Sequence, residues 1–404
     1  MRSETREGAV QTVKEFQELM TATRAFRAAL TKDALAGRPP SAAALDALVS
    51  SLARLEAIPR REGKAVLALD GSELAVDLGY ETGELKKDIL YFTAGERAFL
   101  DYLATLHQDF KEHVDQGVKA LSGLRFHCFI TDRDGTTNNY CGRYDSSIQS
   151  AYNAIFLSRF AKARVENPMF ITSAPLRAPG ILDVSVNPEG TFIYGASKGR
   201  EFLDLSGVRH EHPIPGEKRK ILDALNARLR KLTASPEYEK FTLIGSGLQF
   251  KFGQSTLARQ DIAGSIGAEE SEALLARIRA IVAELDPEGR HLRIEDTGLD
   301  IEIILTVENA GETGNVKDFD KGDAVRLVTK ALSIDLTRGP HLVCGDTASD
   351  LPMIEAVLAA AKDVRAVMVT RKEELARRAR ALVPDALILP EPDMLAAMLN
   401  ALAS

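Results

Sequence analysis

The sequence predicts an α/β protein whose core is a doubly wound parallel sheet. Two apolar runs of strand length, residues 126–131 and 341–345, each end directly in an aspartate, and the chain around them alternates strands, loops and helices. The pattern changes between about residues 215 and 312. There the order is helix, two or three strands (the first near residue 241), helix and two strands. That order indicates an antiparallel sheet with helices on one face, inserted as an α+β cap.

We expect three domains, a number that agrees with a chain of 404 residues. Residues 1–122 form a helical N-terminal domain. The core is built from two separate stretches, 123–214 and 313–404, and the cap occupies the residues between them, 215–312.

The N-terminal domain is predicted from three stretches with helical apolar periodicity. The first covers residues 8–36 and ends before Pro39 and Pro40, and Ser41 can cap a second helix that runs to about residue 57. A third covers about 94–121, and the segment 59–92 stays unassigned. The apolar stripes form either a local core or a dimerisation surface. Their spacing is not a sustained heptad, so a homo-oligomer through these helices is a hypothesis.

The composition indicates a cytoplasmic enzyme. A net charge of −7 argues against general nucleic-acid binding, which depends on basic surfaces. The N-terminus has no apolar signal core and no run approaches a membrane span, so we expect no membrane partner. The three cysteines form no pattern typical of a disulfide framework or a zinc site.

The first motif with chemistry is Asp132-Arg-Asp134-Gly135-Thr136, directly after an apolar run. A strand here would deliver both carboxylates to its carboxyl end, the edge at which open α/β sheets bind ligands. Two carboxylates at that edge can hold a hard divalent cation, or one can attack phosphorus while the other moves a proton.

Three further segments supply the remaining parts of a phosphoryl-transfer site. Thr172 and Ser173 follow one apolar run, Asp346 follows another, and Lys321 lies near a predicted helix N-terminus. A transferring phosphoryl group needs an in-line nucleophile, a metal ion and donors to its equatorial oxygens. A carboxylate pair, a hydroxyl, a lysine and a final acid, in this order, meet those needs.

The ordered set resembles the haloacid dehalogenase superfamily of Mg²⁺-dependent phosphatases, which have a Rossmann-like core. The resemblance implies that Asp132 is the nucleophile that becomes an aspartyl-phosphate, and that Asp134 is the general acid and then the general base. Thr172 or its neighbour Ser173, together with Lys321, would hold the phosphoryl group. Mg²⁺ would be bound by Asp132, by the main-chain carbonyl of Asp134 and by Asp346. Asp350 would support the site without holding the ion directly.

Longer strings resemble one family within this superfamily, the trehalose-6-phosphate phosphatases, and in particular the nematode-type branch with an extra helical N-terminal domain. The strings are Thr172-Ser-Ala-Pro-Leu-Arg177, Lys198-Gly-Arg-Glu201, Gly245-Ser-Gly-Leu-Gln249-Phe-Lys251 and Gly345-Asp-Thr-Ala-Ser-Asp-Leu-Pro-Met353. The resemblance implies hydrolysis of trehalose 6-phosphate to trehalose and phosphate, the last step of trehalose biosynthesis, with a C2-type cap over the core.

The residues expected to contact the sugar lie mainly in the cap. The resemblance implies that Lys251 and Glu302 grip the disaccharide, and Arg177 belongs to one of the matching strings. Gln249 is two residues from Lys251, so both would face one side of a strand. For Gln249 and Arg259 a solvated strand face is the equal alternative. The cap reads Gln249-Phe-Lys251 where many relatives have Glu-x-Lys, and Arg133 stands where relatives usually carry an aromatic or apolar residue.

Two other functions stay open on the sequence. One is a phosphatase for another sugar phosphate, of the sucrose or glucosylglycerol type, which only the cap residues would distinguish. The other is a non-catalytic sugar-phosphate sensor, which would be marked by loss of the nucleophile or of a metal-binding acid. Because Asp132, Asp134, Lys321 and Asp346 are all present, the catalytic interpretation is favoured.

Overall fold

The structure, a computed structural model, describes residues 10–69, 72–306 and 319–404. The predicted boundary between cap and core at residues 312 and 313 lies outside the described residues, and the other domain boundaries remain predictions. In the described part of the chain, no helix is long and apolar enough to span a membrane.

The N-terminal region is helical with a small sheet. Its elements are α1 (Val13–Leu35), α2 (Ala42–Glu56), β1 (Arg60–Arg61), β2 (Lys64–Leu69), β3 (Ser72–Val76), α3 (Gly79–Leu106) and α4 (Phe110–Leu121). Thr12 caps α1 in a capping box with Glu15, and Ser41 caps α2 as predicted. The unassigned segment 59–92 contains the antiparallel sheet β1–β2–β3 and the start of α3.

The prediction of one helix over about 94–121 was wrong in its residue range. The stretch 94–121 is divided between the second half of α3 and the whole of α4. Gly95 lies inside α3 with φ +84, a conformation that interrupts regular helix and that glycine adopts without steric cost. Residues 107–109 then separate the two helices.

The first stretch of the core alternates strands and helices, as predicted. Its elements are β4 (Phe126–Thr131), α5 (Ala151–Arg164), β5 (Val165–Ile171), α6 (Ile181–Val184), β6 (Ile193–Ala196), β7 (Glu201–Leu203) and β8 (Arg209–Glu211). Every residue of β4 is buried, as expected for a strand covered by helices on both faces.

The cap follows as an α+β unit. Its elements are α7 (Gly216–Thr233), α8 (Pro236–Glu239), β9 (Leu248–Lys251), β10 (Gln254–Ala258), α9 (Ala268–Leu285), β11 (Leu292–Asp296) and β12 (Asp300–Leu305). The antiparallel sheet has the order β11-β12-β10-β9. The predicted first strand of the cap, near residue 241, does not form: Lys240–Thr242 is a 3-10 turn, in which Phe241 is buried against the helices and sheet of the cap.

The chain then returns to complete the core. The remaining elements are α10 (Lys321–Ala331), β13 (His341–Gly345), α11 (Leu351–Leu358), β14 (Val364–Val369), α12 (Glu373–Leu382), β15 (Leu387–Leu389) and α13 (Pro392–Ala403). The core sheet has the order β15-β14-β13-β4-β5-β6-β7-β8. The first six strands are parallel, and β7 and β8 add an antiparallel edge that the sequence did not predict. Since β13, β4 and β5 are neighbours, the residues that follow their carboxyl ends meet at one edge.

The N-terminal region and the core share a buried interface. The ring of Phe99, in α3, lies 4.6 Å from that of Tyr152, in α5. Beside these rings, Asp393 at the start of α13 is 1 % exposed. Its carboxylate accepts hydrogen bonds from Lys87 Nζ and Tyr152 Oη, both at 2.7 Å, and lies 2.7 Å from His107 Nε2. A buried carboxylate of the core is therefore neutralised by the N-terminal helices.

Replacing Asp393 with asparagine is expected to lower the free energy of unfolding by about 3–5 kcal/mol, because it removes one member of a buried ion pair. Burial alone would raise the pKa of Asp393, but the Lys87 ammonium and the hydrogen bond from His107 hold it well below its ordinary value. The contribution of this carboxylate is thus fully present above the ordinary carboxyl pKa, about 3.9, and is lost as the pH falls toward the depressed folded value.

Urea unfolding of both proteins across a pH series measures this effect. The difference between wild type and D393N should shrink as the pH falls below about 4. The matched control is Asp101→Asn, which breaks the exposed pair with Lys111 and should change stability by less than about 1 kcal/mol. If the loss of unfolding free energy is equally small for both variants, or is independent of pH in D393N, the stabilising role of the Asp393 carboxylate is contradicted.

Candidate active site

Asp132 lies at the carboxyl end of β4, in the middle of the core sheet. Its backbone N–H donates to Cys344 O on the neighbouring strand at 3.2 Å, which fixes the carboxylate at the sheet edge. The side chain is largely buried, and Lys321 Nζ lies 2.9 Å from its Oδ1. Lys321 is the first residue of α10, and the preceding residue, Asp320, is the N-cap of that helix.

Asp350 holds the other side of Lys321. Its Oδ1 accepts from Lys321 Nζ at 2.5 Å, and its Oδ2 accepts from the backbone N–H groups of Asp346 and Thr347 at 3.0 and 2.9 Å. Burial acts to lower the pKa of Lys321, but Asp132 and Asp350 outweigh it and raise the pKa above its ordinary value. The lysine is thus a fixed positive charge beside the Asp132 carboxylate.

Three carboxylates form a group suited to a cation. One oxygen each of Asp132, Asp346 and Asp350 lie within 4.8 Å of one another. Burial raises the pKa of Asp132 to about 7 despite Lys321, and burial followed by repulsion from Asp132 raises the pKa of Asp346 to about 8. Three carboxylates face one ammonium, so a hard divalent cation would neutralise the excess negative charge, and carboxylate oxygens are the donors that Mg²⁺ prefers.

The turn after Asp134 fits against Asp346. Thr136 Oγ1 donates to Asp346 Oδ1 at 3.0 Å. Gly135 has φ +85, and a Cβ on it would lie 2.3 Å from Asp346 Oδ2. Only glycine at position 135 therefore allows both the turn and the close approach of the Asp346 carboxylate.

The Asp134 side chain lies outside the three-carboxylate group. It lines the cleft and accepts a hydrogen bond at Oδ1 from Arg133 Nη1. The resemblance predicts that Asp134 binds the metal ion through its main-chain carbonyl oxygen. The direction of its side-chain carboxylate therefore does not test that prediction.

The two hydroxyl candidates both line the cleft at the end of β5. The backbone of Thr172 is fixed by Gly195 O at 2.9 Å and by the N–H of Lys198 at 2.8 Å. Thr172 Oγ1 accepts from the N–H of Ala174 at 3.2 Å, so its own proton remains available to donate to an anion. Ser173 also lines the cleft, and the choice between the two stays open.

The cap covers the cleft from above and leaves an open cavity of about 370 Å³ between the sheets. Four cap residues line it through side chains on one face of the cap sheet, namely Gln249, Lys251, Asp300 and Glu302. Lys251 Nζ lies 3.9 Å from Glu302 Oε1, and burial lowers the pKa of Lys251. The opposite face carries Leu257, Ile301 and Ile303, which pack on the cap helices.

Two of the residues expected to bind the sugar are not brought to the cleft. Arg259 lies just after β10, where its guanidinium donates to Asp296 Oδ2 at 2.8 Å, to Ser271 Oγ at 2.9 Å and to Glu272. Arg177 is largely exposed and pairs with Asp183 at 3.2 Å, beside a separate cavity where the core meets the cap. Both arginines thus have partners other than the groups around Asp132.

A loop that the sequence did not predict forms one wall of the cleft. Tyr140, Arg143, Tyr144 and Ser147 all line the cavity. Asp300 was also missed; its neighbour Ser246 donates to Oδ2 at 3.0 Å, and burial raises its pKa. The spacing of Asp300 from Glu302 was a usable signal, because residues two apart share a face of a strand.

Known families and proteins match the chain along most of its length. The model of the trehalose-6-phosphate phosphatase C-terminal region matches residues 129–395, and that of the trehalose-6-phosphate phosphatase N-terminal helical bundle domain matches residues 12–121.

Relatives include an α,α-trehalose-phosphate synthase (UDP-forming) 2 of Caenorhabditis elegans, 33% identical over 92% of this chain and 32% of the relative. A trehalose-phosphatase of Brugia malayi is 28% identical over 93% of this chain and 82% of the relative. A solved structure titled as a trehalose-6-phosphate phosphatase related protein aligns with 68% of this chain at 17% identity, with a TM-score of 0.46.

The chain spans between about a quarter and a third of the length of two synthase relatives that it matches. The two family models, in contrast, cover the catalytic-core and cap region and the helical N-terminal region in turn. The C-terminal model alone matches well over half of the chain and includes every acidic residue of the site described above. This chain therefore belongs to the trehalose-6-phosphate phosphatase family.

Proposed function

We propose that the protein is a Mg²⁺-dependent phosphatase that hydrolyses trehalose 6-phosphate through an aspartyl-phosphate on Asp132. The observation that carries the proposal is the meeting of Asp132, Asp346 and Lys321 at one sheet edge, beneath a cap face lined with polar side chains. The trehalose-phosphatase names of several relatives support the same substrate.

Asp132 and Asp346, with the main-chain carbonyl of Asp134, would hold the Mg²⁺ ion. Bound there, Mg²⁺ would supply positive charge to the transferring phosphoryl oxygens. Asp350, whose two oxygens are occupied by Lys321 and by backbone N–H groups, would keep the loop after β13 in position for Asp346.

In the first half of the reaction, an oxygen of Asp132 attacks phosphorus and the bond to the sugar oxygen breaks. Lys321 and the hydroxyl of Thr172 or Ser173 would stabilise the equatorial oxygens of the phosphoryl group, where negative charge is greatest. Asp134 gives its proton to the departing sugar oxygen, which makes trehalose the leaving group rather than an alkoxide.

In the second half, Asp134 is ionised and can accept a proton from water. That water attacks phosphorus of the aspartyl-phosphate, which releases phosphate and restores the Asp132 carboxylate. The proton returned to Asp134 resets it for the next substrate, so one group serves as acid and then as base.

The cap supports a sugar leaving group. A disaccharide presents hydroxyls, which bind well to charged and amide side chains such as Lys251, Glu302 and Gln249. The cap also covers the cleft on one side, which reduces its contact with bulk water and strengthens each of these hydrogen bonds. Asp300 lies on the same face and extends this polar surface.

Removal of divalent metal with a chelator is expected to stop phosphate release from trehalose 6-phosphate, and added Mg²⁺ should restore it. Asp346→Asn should lower kcat/KM at least about 100-fold, because several kcal/mol of charge stabilisation depend on the ion. Titration calorimetry with Mg²⁺ alone should show weaker binding to D346N than to wild type. The control is Asp204→Asn, in the turn between β7 and β8, which should leave both kcat/KM and Mg²⁺ binding unchanged. Full activity in chelator contradicts the metal site.

Lys251→Met should raise KM for trehalose 6-phosphate about 10- to 100-fold, because a charge-assisted hydrogen bond to a sugar hydroxyl contributes about 1.5–3 kcal/mol. The KM for p-nitrophenyl phosphate, which lacks the sugar, should change little. The matched control is Lys231→Met, an exposed lysine on α7, on the far side of the cap sheet. Equal changes for both substrates would show that Lys251 supports the cap rather than the sugar.

A further inference from the structure

Arg133, between the two motif aspartates, is buried although it is a charged residue with no assigned role. Its side chain is 2 % exposed. Nη1 donates to Asp134 Oδ1 and to Ser147 Oγ, the latter at 3.2 Å, and Nη2 donates to Ser147 O. The guanidinium therefore ties the Asp134 carboxylate to a loop fourteen residues further along the chain.

That loop is held by the N-terminal region. Glu81, in the first turn of α3, is fully buried and accepts from Ser146 Oγ at 2.6 Å. It also accepts two hydrogen bonds from Arg143 Nη2, at 2.7 and 2.9 Å. The carbonyl of the next loop residue, Ile148, accepts from Arg27 Nη1 at 3.0 Å and from Tyr80 Oη at 3.1 Å. Residues 143–148 thus have several buried ties to α1 and α3.

We infer that Arg133 is a positioning residue for proton transfer, and that the helical N-terminal region fixes Arg133 by holding residues 143–148. The inference rests on the proposed function and deepens it. It gives the N-terminal region a part in the reaction, through a series of contacts that runs from Glu81 to Ser146, along the backbone to Ser147, to Arg133 and finally to Asp134.

Proton transfer depends on the orientation of the Asp134 carboxylate. Asp134 is partly exposed in the cleft, so without a partner its side chain would sample several rotamers. With Oδ1 held by Arg133, the other oxygen, Oδ2, is the one presented to the sugar oxygen. Proton transfer requires heavy atoms at hydrogen-bond distance, and a displacement of 1 Å can cost about 100-fold in rate.

Arginine suits this position because of its shape. Its planar fork can donate to a carboxylate and to a loop carbonyl at once, whereas a lysine ammonium is a single point of charge. The alternative is that Arg133 only neutralises the acidic groups around Asp132, in which case a lysine would serve equally well.

The test compares kcat/KM for trehalose 6-phosphate with kcat/KM for p-nitrophenyl phosphate in Arg133→Met and Arg133→Lys. The nitrophenolate leaves without protonation, so its release does not need Asp134 as an acid, whereas release of the sugar does. We expect R133M to lower the ratio of the two values about 100-fold, mainly through kcat. We expect R133K to lower it as well, by about 10-fold.

The contribution of the N-terminal region is tested by Glu81→Gln, which should lower the same ratio. Its matched control is Arg24→Met. Arg24, in α1, donates to Ser185 O at 3.1 Å and to Leu182 O at 2.8 Å, so it also joins the N-terminal region to the core, but through hydrogen bonds to residues other than 143–148. The ratio should be unchanged in R24M.

Several outcomes overturn the inference. If R133M and R133K reduce both substrates equally, Arg133 has only a structural role. If R133M does not fold, R133K decides, and a wild-type ratio in R133K overturns the positioning role. A ratio unchanged in E81Q, or lowered equally in R24M, removes the N-terminal contribution. If wild type prefers another sugar phosphate, the proposed substrate fails and the ratio is formed with that sugar phosphate instead. Wild type inactive on every phosphate ester overturns both proposals.

Discussion

Asp132→Asn should reduce turnover of trehalose 6-phosphate by at least about 10⁴-fold while the protein stays folded. An amide is a far weaker nucleophile toward phosphorus than a carboxylate, so the aspartyl-phosphate cannot form. The fold should survive because Lys321 keeps its contact with Asp350 at 2.5 Å, and the asparagine carbonyl can still accept from the lysine. Loss of one buried charge from the three-carboxylate group should leave the melting temperature unchanged or raise it.

Single-turnover phosphate release and thermal melting test this expectation together. Asp335→Asn is the matched control, since Asp335 lies in the loop before β13, at the opposite edge of the same sheet, and should have full activity. Phosphate release retained in D132N would contradict the assignment of the nucleophile.

Removing residues 1–122 should prevent the rest of the chain from folding. The rings of Tyr91 and Phe99, in α3, lie 5.8 and 6.1 Å from that of Phe156, in α5, within one buried cluster that extends into the core. Deletion would expose this aromatic surface and would leave the buried Asp393 without Lys87. Burial of apolar surface contributes about 25 cal/mol per Å², so exposure of this aromatic cluster is a large loss for a domain of typical stability.

Circular dichroism and light scattering of the truncated chain measure the effect. We expect loss of cooperative melting, and aggregation, for a chain that begins at residue 123. A soluble truncated chain with a sharp transition would instead show that the N-terminal region is an appendage. Light scattering of the 404-residue chain tests separately the proposed homo-oligomer through the N-terminal helices.

The core sheet could be predicted because its signals are local. Asp132 and Asp346 each follow directly on an apolar run, and parallel neighbours bring such residues to one edge. The contact of Arg133 with Ser147 could not be predicted in this way. It depends on the path of a loop without regular periodicity, which is set by buried groups more than sixty residues earlier, such as Glu81.

The cap shows where strand periodicity succeeds and where it fails. Gln249 and Lys251 share the cleft face because they are two residues apart within β9. Arg259 was a candidate because it lies on a predicted strand segment, but residues 254, 256 and 258 share the cleft face of β10, so residue 259 has the opposite parity. Choosing between the two faces required the register of β10, which one sequence does not provide.

The small sheet of the N-terminal region was missed for a related reason. Its first turn contains Glu62 and Gly63, with φ +52 and +81. Hairpin turns of this kind usually carry Asn-Gly or Asp-Gly, so a glutamate at the first position hides the signal. The kink at Gly95 was likewise not predicted, because the apolar periodicity on each side of it does not indicate a break.

The proposed function is tested most sharply by the rate of phosphate release, with Mg²⁺ present, from trehalose 6-phosphate, sucrose 6-phosphate, a glucosylglycerol phosphate and glucose 6-phosphate. If Lys251, Gln249 and Glu302 hold the disaccharide, kcat/KM for trehalose 6-phosphate should exceed the others by about 100-fold or more, as for sites that hydrogen-bond several substrate hydroxyls. An equal or higher kcat/KM for another sugar phosphate would keep the phosphatase chemistry and contradict the substrate. No release from any of them by the folded protein with Mg²⁺ would contradict the enzyme itself and favour a sugar-phosphate sensor.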